Sequence, residues 1–416
     1  MASDKTAEAA LPLTRLPGLR PLSKVLHSLH SGHLRIRLGE HVHEMHGTEA
    51  GPSGELRLVR PLKFARRIAT RGHVGLGEAY MAGDWESPDP TALLHTLAVN
   101  QQAFATAWEG SRLHRMLSPL KHRRRSNTKT GSRRNIAHHY DLGNAFYRLW
   151  LDPSMTYSAG VFERDGDTLD QSQHNKYARL LAMLDAKPGQ NVLEIGCGWG
   201  SFAREAATAG LDVTGLTLST EQLAWAREAI AGTPLEPHVD LRLQDYRDVD
   251  GQYDHIVSIE MFEAVGEAYW PTYMDTLRER LRPGGRVALQ IITIDPSMFD
   301  DYKASPDFIQ HYIFPGGMLP TVERFDQAVA NAGLKVVERS FHASDYARTL
   351  ALWRDRFEQR LDEVRALGYD ERFIRMWRYY LSYCEAGFID ERIDVMQVAL
   401  AHTDTGTTIA MSRSPS

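Results

Sequence analysis

Val192-Leu193-Glu194-Ile195-Gly196-Cys197-Gly198-Trp199-Gly200, running on to Thr217-Leu218-Ser219-Thr220-Glu221-Gln222, reads as strand, glycine loop, helix, second strand and polar stop. Gly196, Gly198 and Gly200 leave bare backbone at the strand end, and a helix over 201–209 aims its N-terminus at the same point. A dinucleotide loop has the spacing Gly-x-Gly-x-x-Gly and faces a pyrophosphate. Here the spacing is Gly-x-Gly-x-Gly, behind the acidic Glu194. That combination suits a ligand with a cationic amino acid end, such as S-adenosylmethionine.

Downstream, the chain has the order of a parallel αβ sheet. Strands are expected over 211–216, 239–243, 253–259 and 286–294, and helices over 221–230 and 273–281, the latter stopped by Arg282-Pro283-Gly284-Gly285. Ligands of such sheets lie beyond the carboxyl ends of the strands, where Thr217, Asp245, Glu263 and Gln290 fall. Asp245 is placed to accept from an adenine amino group, and Thr217 or Gln222 to meet ribose or methionine polar atoms. Taken singly, a minority of such residues are no more than solvated strand ends; the four together point to a site.

A chain of 416 residues with 43% hydrophobic residues has room for two or three domains and ample core. No apolar run approaches the length of a membrane helix, and Met1-Ala2-Ser3-Asp4-Lys5 does not begin as a signal peptide, so the expected compartment is the cytoplasm. Two cysteines, Cys197 and Cys384, make neither a disulfide framework nor a cysteine zinc site. His138 and His139 are adjacent and lack partners at ligand spacing, so no metal is expected. The net charge of −5 hides an asymmetry: residues 1–134 hold 21 Lys+Arg against 11 Asp+Glu and contain 10 of the 18 histidines. The basic stretch 121–134, with no apolar periodicity, reads as a solvated linker or as a patch for a polyanionic surface, worth about 1 kcal/mol per basic residue there. Without interleaved aromatics or a known module, nucleic acid is the poorer partner, and an anionic membrane the better one. The expected organisation is a disordered 1–20, an N-terminal domain over 21–120, the linker 121–134, and a catalytic domain over 135–410.

Further segments carry a family likeness: Ala137-His138-His139-Tyr140-Asp141-Leu142-Gly143-Asn144, Leu151-Asp152-Pro153-Ser154-Met155-Thr156-Tyr157-Ser158, Gln244-Asp245-Tyr246, Met261-Phe262-Glu263-Ala264-Val265-Gly266, Tyr312-Ile313-Phe314-Pro315-Gly316-Gly317 and Tyr380-Leu381-Ser382-Tyr383-Cys384-Glu385-Ala386-Gly387-Phe388. Gly83-Asp84-Trp85 extends it toward the N-terminus. From about residue 60 to 402 the chain resembles the cyclopropane-fatty-acyl-phospholipid synthases and the mycolic acid cyclopropane synthases. The resemblance implies a Rossmann-like class I methyltransferase domain, α/β with a mostly parallel seven-stranded sheet, and a smaller N-terminal α+β domain that docks on membrane or presents lipid and offers a dimerisation surface.

It implies, further, that methyl from S-adenosylmethionine is added across a cis double bond of a phospholipid acyl chain at the inner membrane face. The resulting carbocation closes to a cyclopropane when a bound bicarbonate takes a proton. The donor site implied is Tyr157, Ser158, Gly196, Gly198, Thr217, Gln222, Asp245 and Tyr246, joined by Glu194 and Gly200 from the loop itself. The bicarbonate cage implied is Glu263, Tyr346 and Cys384 by side chain, with Ala159 and Ile292 by backbone. Taken alone, Cys384 reads as a small buried residue on a helix and Tyr346 as core; the likeness assigns both to the cage. Cys197 reads as structural.

Two departures stand out. Ala159 stands where relatives often have cysteine, which a backbone contact tolerates. Gln290 stands where they commonly have histidine; glutamine can hydrogen-bond an anion but carries no imidazolium charge. A weakened or shifted base would release the proton after a hydride shift and leave a methylene- or methyl-branched chain. Two other classes compete with these enzymes: a lipid-binding protein with an inactive methyltransferase fold, and a small-molecule or nucleic-acid methyltransferase. The first is disfavoured by Glu263, Tyr346 and Cys384, the second by the aromatic-rich segment beyond residue 294, which could line an acyl tunnel.

Overall fold

The computed structural model describes residues 29–101 and 142–403. The basic stretch 121–134, with its expected role at anionic lipid head groups, lies outside the described residues, as do 1–20 and His138 and His139. The chain divides into two compact units, one formed by 1–120 with 369–390 and the other by 121–368 with 391–416.

The first unit is built on a four-stranded sheet of β1 (Ser31–Leu38), β2 (His41–His46), β3 (Glu49–Leu58) and β4 (Trp85–Glu86), in the order β2-β1-β3-β4. Alternation makes the sheet one-sided: Leu34, Ile36, Leu56 and Leu58 are buried while the arginines between them face outward. Among the described residues, helices Pro61–Met81, Pro90–Val99 and Glu371–Ile389 belong to this unit. The sequence places 371–389 in the catalytic domain; in the structure it packs with the N-terminal elements. Arg375 explains the attachment, since its Nε donates to Tyr80 O at 2.6 Å and its Nη2 to Trp85 O at 3.0 Å. Thr91 adds a buried bond to Glu385 at 3.0 Å, and the rings of Tyr80, Trp85 and Tyr379 pack together.

The second unit carries the seven-stranded sheet, ordered β10-β11-β9-β8-β5-β6-β7. Its strands are β5 (Asn191–Ile195), β6 (Asp212–Thr217), β7 (Val239–Leu243), β8 (Tyr253–Ile259), β9 (Leu281–Ile294), β10 (Leu334–Phe341) and β11 (Ile393–His402). Pairings from β7 through to β9 are parallel, and β11 runs antiparallel to both β9 and β10. Val192, Leu193, Val257 and Ala288 are buried because helices cover both faces. Helix Trp270–Arg280 ends and β9 begins at Leu281, five residues earlier than the sequence predicts. The Arg-Pro-Gly-Gly stretch runs beside β8 through a register shift, close enough that a Cβ on Gly285 would sit 2.1 Å from Asp254 O. Among the described residues no helix is long and apolar enough to cross a membrane.

Candidate active site

Every strand of the parallel part ends at one edge of the sheet. There β5 turns through Gly196, Gly198 and Gly200, all at positive φ, into helix Ser201–Thr208. The turn is closed by the Gly196 and Cys197 amides, which both donate to Leu216 O at 2.9 and 2.8 Å. A Cβ on Gly200 would approach Ala226 Cβ at 3.0 Å, so that glycine sets the packing of the next helix. Glu194, 3% exposed, keeps Oε2 without a hydrogen-bond partner among the described residues. Such an acceptor is costly unless a donor completes it, and a cationic amino end would. Burial pushes the Glu194 carboxyl up to about 8, against the pull of Lys176.

The neighbouring strand ends are similarly polar. Thr217 donates to Gln222 Oε1 at 3.2 Å, and Ser219 caps helix Thr220–Ile230 through the Gln222 amide. Asp245 caps the short turn after β7, its Oδ1 accepting from the Arg247 amide at 3.0 Å, and its carboxylate grips the Arg247 guanidinium at 2.8 and 2.6 Å. Tyr246 packs edge-on to Tyr273. Tyr157 lies among Tyr147, Trp150 and Trp353. Ser158 accepts from the fully buried Lys176 Nζ at 2.6 Å. Burial pulls the Lys176 ammonium down to about 7, with the charges of Glu260, Asp152 and Glu194 acting the other way. Glu194, the glycines, Thr217, Gln222 and Asp245 thus form a polar set at and just beyond the carboxyl ends of β5, β6 and β7.

Next to this set stands a residue that the sequence does not single out as functional. Glu260 follows β8 directly, in a left-handed conformation with φ 49°. Its Oε1 accepts from the Ala159 amide at 2.8 Å and from Gln290 Nε2 at 2.8 Å, and its Oε2 from the Tyr346 hydroxyl at 3.0 Å. Gln290 also donates to Ala159 O at 3.2 Å and accepts from Gln397 at 2.9 Å, which closes the network. Ala159 is held in turn by its neighbours: Gly160 donates to Thr349 at 3.1 Å and Phe162 to Asp345 at 3.0 Å. Glu260 and Glu263 lie deep in the protein yet keep part of their surface accessible. Desolvation raises the Glu260 carboxyl, while the Ala159 and Gln290 hydrogen bonds and the Lys176 charge hold it down. One visible signal was its place, an acidic residue at a strand's carboxyl end.

Of the cage implied by resemblance, Ala159 and Tyr346 thus meet around Glu260, where Gln290, the departure, joins them, and the Ile292 amide donates to Glu263 Oε1. Glu263 Oε2 has no partner among the described residues. Cys384, half-buried, belongs to the Glu371–Ile389 helix of the first unit. Cys197 is buried, and desolvation raises its thiol well above the ordinary value, as suits a structural cysteine. Away from this edge, His33, Glu44 and His46 on the β1–β2 hairpin place potential metal-ligating atoms within 4.8 Å of one another, with Glu44 bound to Arg35.

Two predictions follow from these bonds. Gln290→Ala should cost about 1–3 kcal/mol in urea denaturation, because it strips a donor from Glu260 and leaves the buried Gln397 amide without its acceptor. Glu263→Gln should alter the pH dependence of stability. Burial, aided by the Glu260 charge, pushes the Glu263 carboxyl up to about 8. A raised folded-state value means stability that is present below the unfolded value of about 4.3 and lost as pH rises through about 8. The wild-type advantage over Glu263→Gln should therefore shrink between about pH 5 and about pH 8, by on the order of 1 kcal/mol per unit at most. Parallel denaturation curves across that range would check it.

The family profile described as mycolic acid cyclopropane synthetase matches residues 127–398. The chain is 40% identical over 383 residues to the tuberculostearic acid methyltransferase UfaA1 of Mycobacterium tuberculosis, covering 88% of each chain. It is 35% identical over 352 residues to the cyclopropane-fatty-acyl-phospholipid synthase of Escherichia coli K12, covering 83% of this chain and 87% of that one. Among solved structures, mycolic acid cyclopropane synthase CmaA1 complexed with SAH and CTAB superposes with a TM-score of 0.60 at 30% identity, over 64% of this chain and 97% of that one. The chain belongs to the mycolic acid cyclopropane synthetase family and is an S-adenosylmethionine-dependent methyltransferase of the cyclopropane-fatty-acyl-phospholipid synthase type, acting on lipid acyl chains.

Proposed function

We propose that this protein transfers the methyl carbon of S-adenosylmethionine to the cis double bond of an unsaturated phospholipid acyl chain and yields a methylene-branched chain. The observation that carries the product is Glu260, a carboxylate locked by Ala159, Gln290 and Tyr346 at the end of β8. The sequence alone favours a cyclopropane made with bicarbonate; the locked carboxylate and the likeness to a tuberculostearic acid methyltransferase move the reading to the branched product.

When bound, the donor supplies an electrophilic methyl group. Glu194 would receive its amino end beside Gly196, Gly198 and Gly200, with Tyr157, Ser158, Thr217, Gln222, Asp245 and Tyr246 around the remainder. An alkene is a weak nucleophile, so these residues must hold it against the methyl in a dry setting. Methylation leaves a cation on the acyl chain, and the rings of Tyr157 and Tyr346, each packed on Trp353 at 5.4 and 6.0 Å, supply faces that favour it. A base fixed by three donors cannot follow the cation along the chain. A 1,2-hydride shift from the methyl-bearing carbon to the cationic one, which leaves the charge on the tertiary centre, then precedes proton loss.

The test is incubation of the protein with S-adenosylmethionine and vesicles of a monounsaturated phospholipid, followed by proton NMR of the extracted acyl chains. Olefinic methylene protons are expected. Upfield ring protons would return the assignment to cyclopropane, and unaltered chains would overturn the substrate.

A further inference from the structure

We infer that Glu260 is the proton acceptor of the reaction, a built-in carboxylate that does the work of a dissolved anion. This deepens the proposed function and rests on it. Four observations converge on this side chain. It stands at the carboxyl end of β8, the strand next to β5 and its glycine loop. It adopts a left-handed backbone, a strained conformation for a residue with a Cβ, of the kind that collects at functional sites. Its hydrogen bonds are unequal: among the described residues Oε1 takes two, whereas Oε2 takes only the Tyr346 hydroxyl and retains a lone pair. And it keeps part of its surface accessible, although it lies deep in the protein.

The donors also read as a cradle for a planar anion. The Ala159 amide, the Gln290 amide and the Tyr346 hydroxyl would hold any carboxylate-shaped group, and here they hold one that the chain supplies. Ionisation is supported by Lys176, whose charge pulls the Glu260 carboxyl down. Burial, aided by the Glu260 charge, pushes the Glu263 carboxyl up to about 8.

The step balances as follows. The π pair of the acyl alkene forms the new C–C bond as the methyl group leaves sulfur, and the sulfonium becomes a thioether. The positive charge passes to the acyl chain. The methyl-bearing carbon passes its hydrogen, with the bonding electron pair, to the neighbouring cationic carbon and becomes the cation itself; a C–H bond of the delivered carbon then breaks, its electron pair forms the new C=C bond, and the proton goes to Glu260 Oε2. The resulting carboxylic acid returns the proton to solvent after the product leaves.

The experiment compares wild type with Glu260→Gly and Glu260→Gln in carbon dioxide-free buffer, with and without added bicarbonate or formate. Glycine adopts the left-handed conformation freely, so Glu260→Gly keeps the backbone and leaves a carboxylate-sized hole. Wild-type turnover should not respond to bicarbonate. Both variants should lose between about 10²- and 10⁴-fold in rate, the usual contribution of general base catalysis. Bicarbonate or formate should restore at least about tenfold to Glu260→Gly and nothing to Glu260→Gln, whose side chain fills the hole. S-adenosylmethionine affinity should stay within about twofold in all three proteins. A binding arm needs no lipid: [13C]bicarbonate NMR should show exchange broadening with ligand-free Glu260→Gly and none with wild type. Bicarbonate-stimulated wild-type turnover, wild-type rates in either variant, or equal bicarbonate binding by wild type and Glu260→Gly would each overturn the inference. Failure of the wild type to methylate lipid at all, with the binding arm as expected, would overturn the substrate reading and leave the carboxylate cradle standing.

Discussion

Lys176→Met should lower the methyl-transfer rate at neutral pH by about 100-fold and move the acid limb of the pH–rate profile upward. Lys176 is fully buried on helix Leu169–Leu184, with its Nζ bonded to Ser158 Oγ. Its charge lowers the carboxyl groups of both Glu260 and Glu194, against the burial that raises them. Methionine keeps the stem and the volume but removes the charge, so both carboxyls rise. A base is active above its pKa; a higher value for Glu260 leaves less carboxylate at pH 7, and more returns as pH climbs. The variant should therefore recover part of its rate in alkaline buffer. A merely structural lysine would change stability without moving the limb, and replacing a buried charge by an apolar group is often neutral or stabilising. A profile that keeps the wild-type limb would remove Lys176 from the account.

Trp353→Ala should cost about 3–5 kcal/mol of stability and raise the Michaelis constants for donor and lipid together. The indole is wholly buried on helix Ala343–Gln359 and lies 5.5 Å from the Trp150 ring, 5.4 Å from Tyr157 and 6.0 Å from Tyr346. Deleting it opens a cavity that three rings border, two of which the proposed mechanism uses. Trp353→Phe keeps a ring in the same space and should lose less than half as much. Urea midpoints and steady-state kinetics on the two variants would separate packing from positioning, since only a positioning role moves the Michaelis constants.

Most of the sheet could be read from the chain because its signals are local. Strands β7 and β8 fall where alternation and β-branching put them, and the glycine loop follows from three residues within five positions. What escaped notice depends on distance. Glu260 looks like an ordinary acidic strand end until Ala159, 101 residues away, and Tyr346, 86 residues away, are folded onto it. Gln290 could be flagged as a departure, but its task of holding another side chain is invisible until Gln397 and Glu260 flank it. Lys176 sits in Gln173-His174-Asn175-Lys176, a polar run that reads as a solvated helix face, yet the helix turns this lysine into the interior. The Glu371–Ile389 helix is amphipathic by pattern, and a pattern does not say which sheet it will cover. Arg375 decides that by anchoring to Tyr80 and Trp85.

The fate of the acyl cation is the centre of the account, and isotopes report it directly. The protein would be given [methyl-13C]S-adenosylmethionine and a phospholipid whose acyl chain carries deuterium on both alkene carbons. If the cation migrates before proton loss, the 13C label appears as an exocyclic methylene and both deuterons lie on one neighbouring carbon. A 13C signal in a ring methylene, with one deuteron left on each ring carbon, would contradict it.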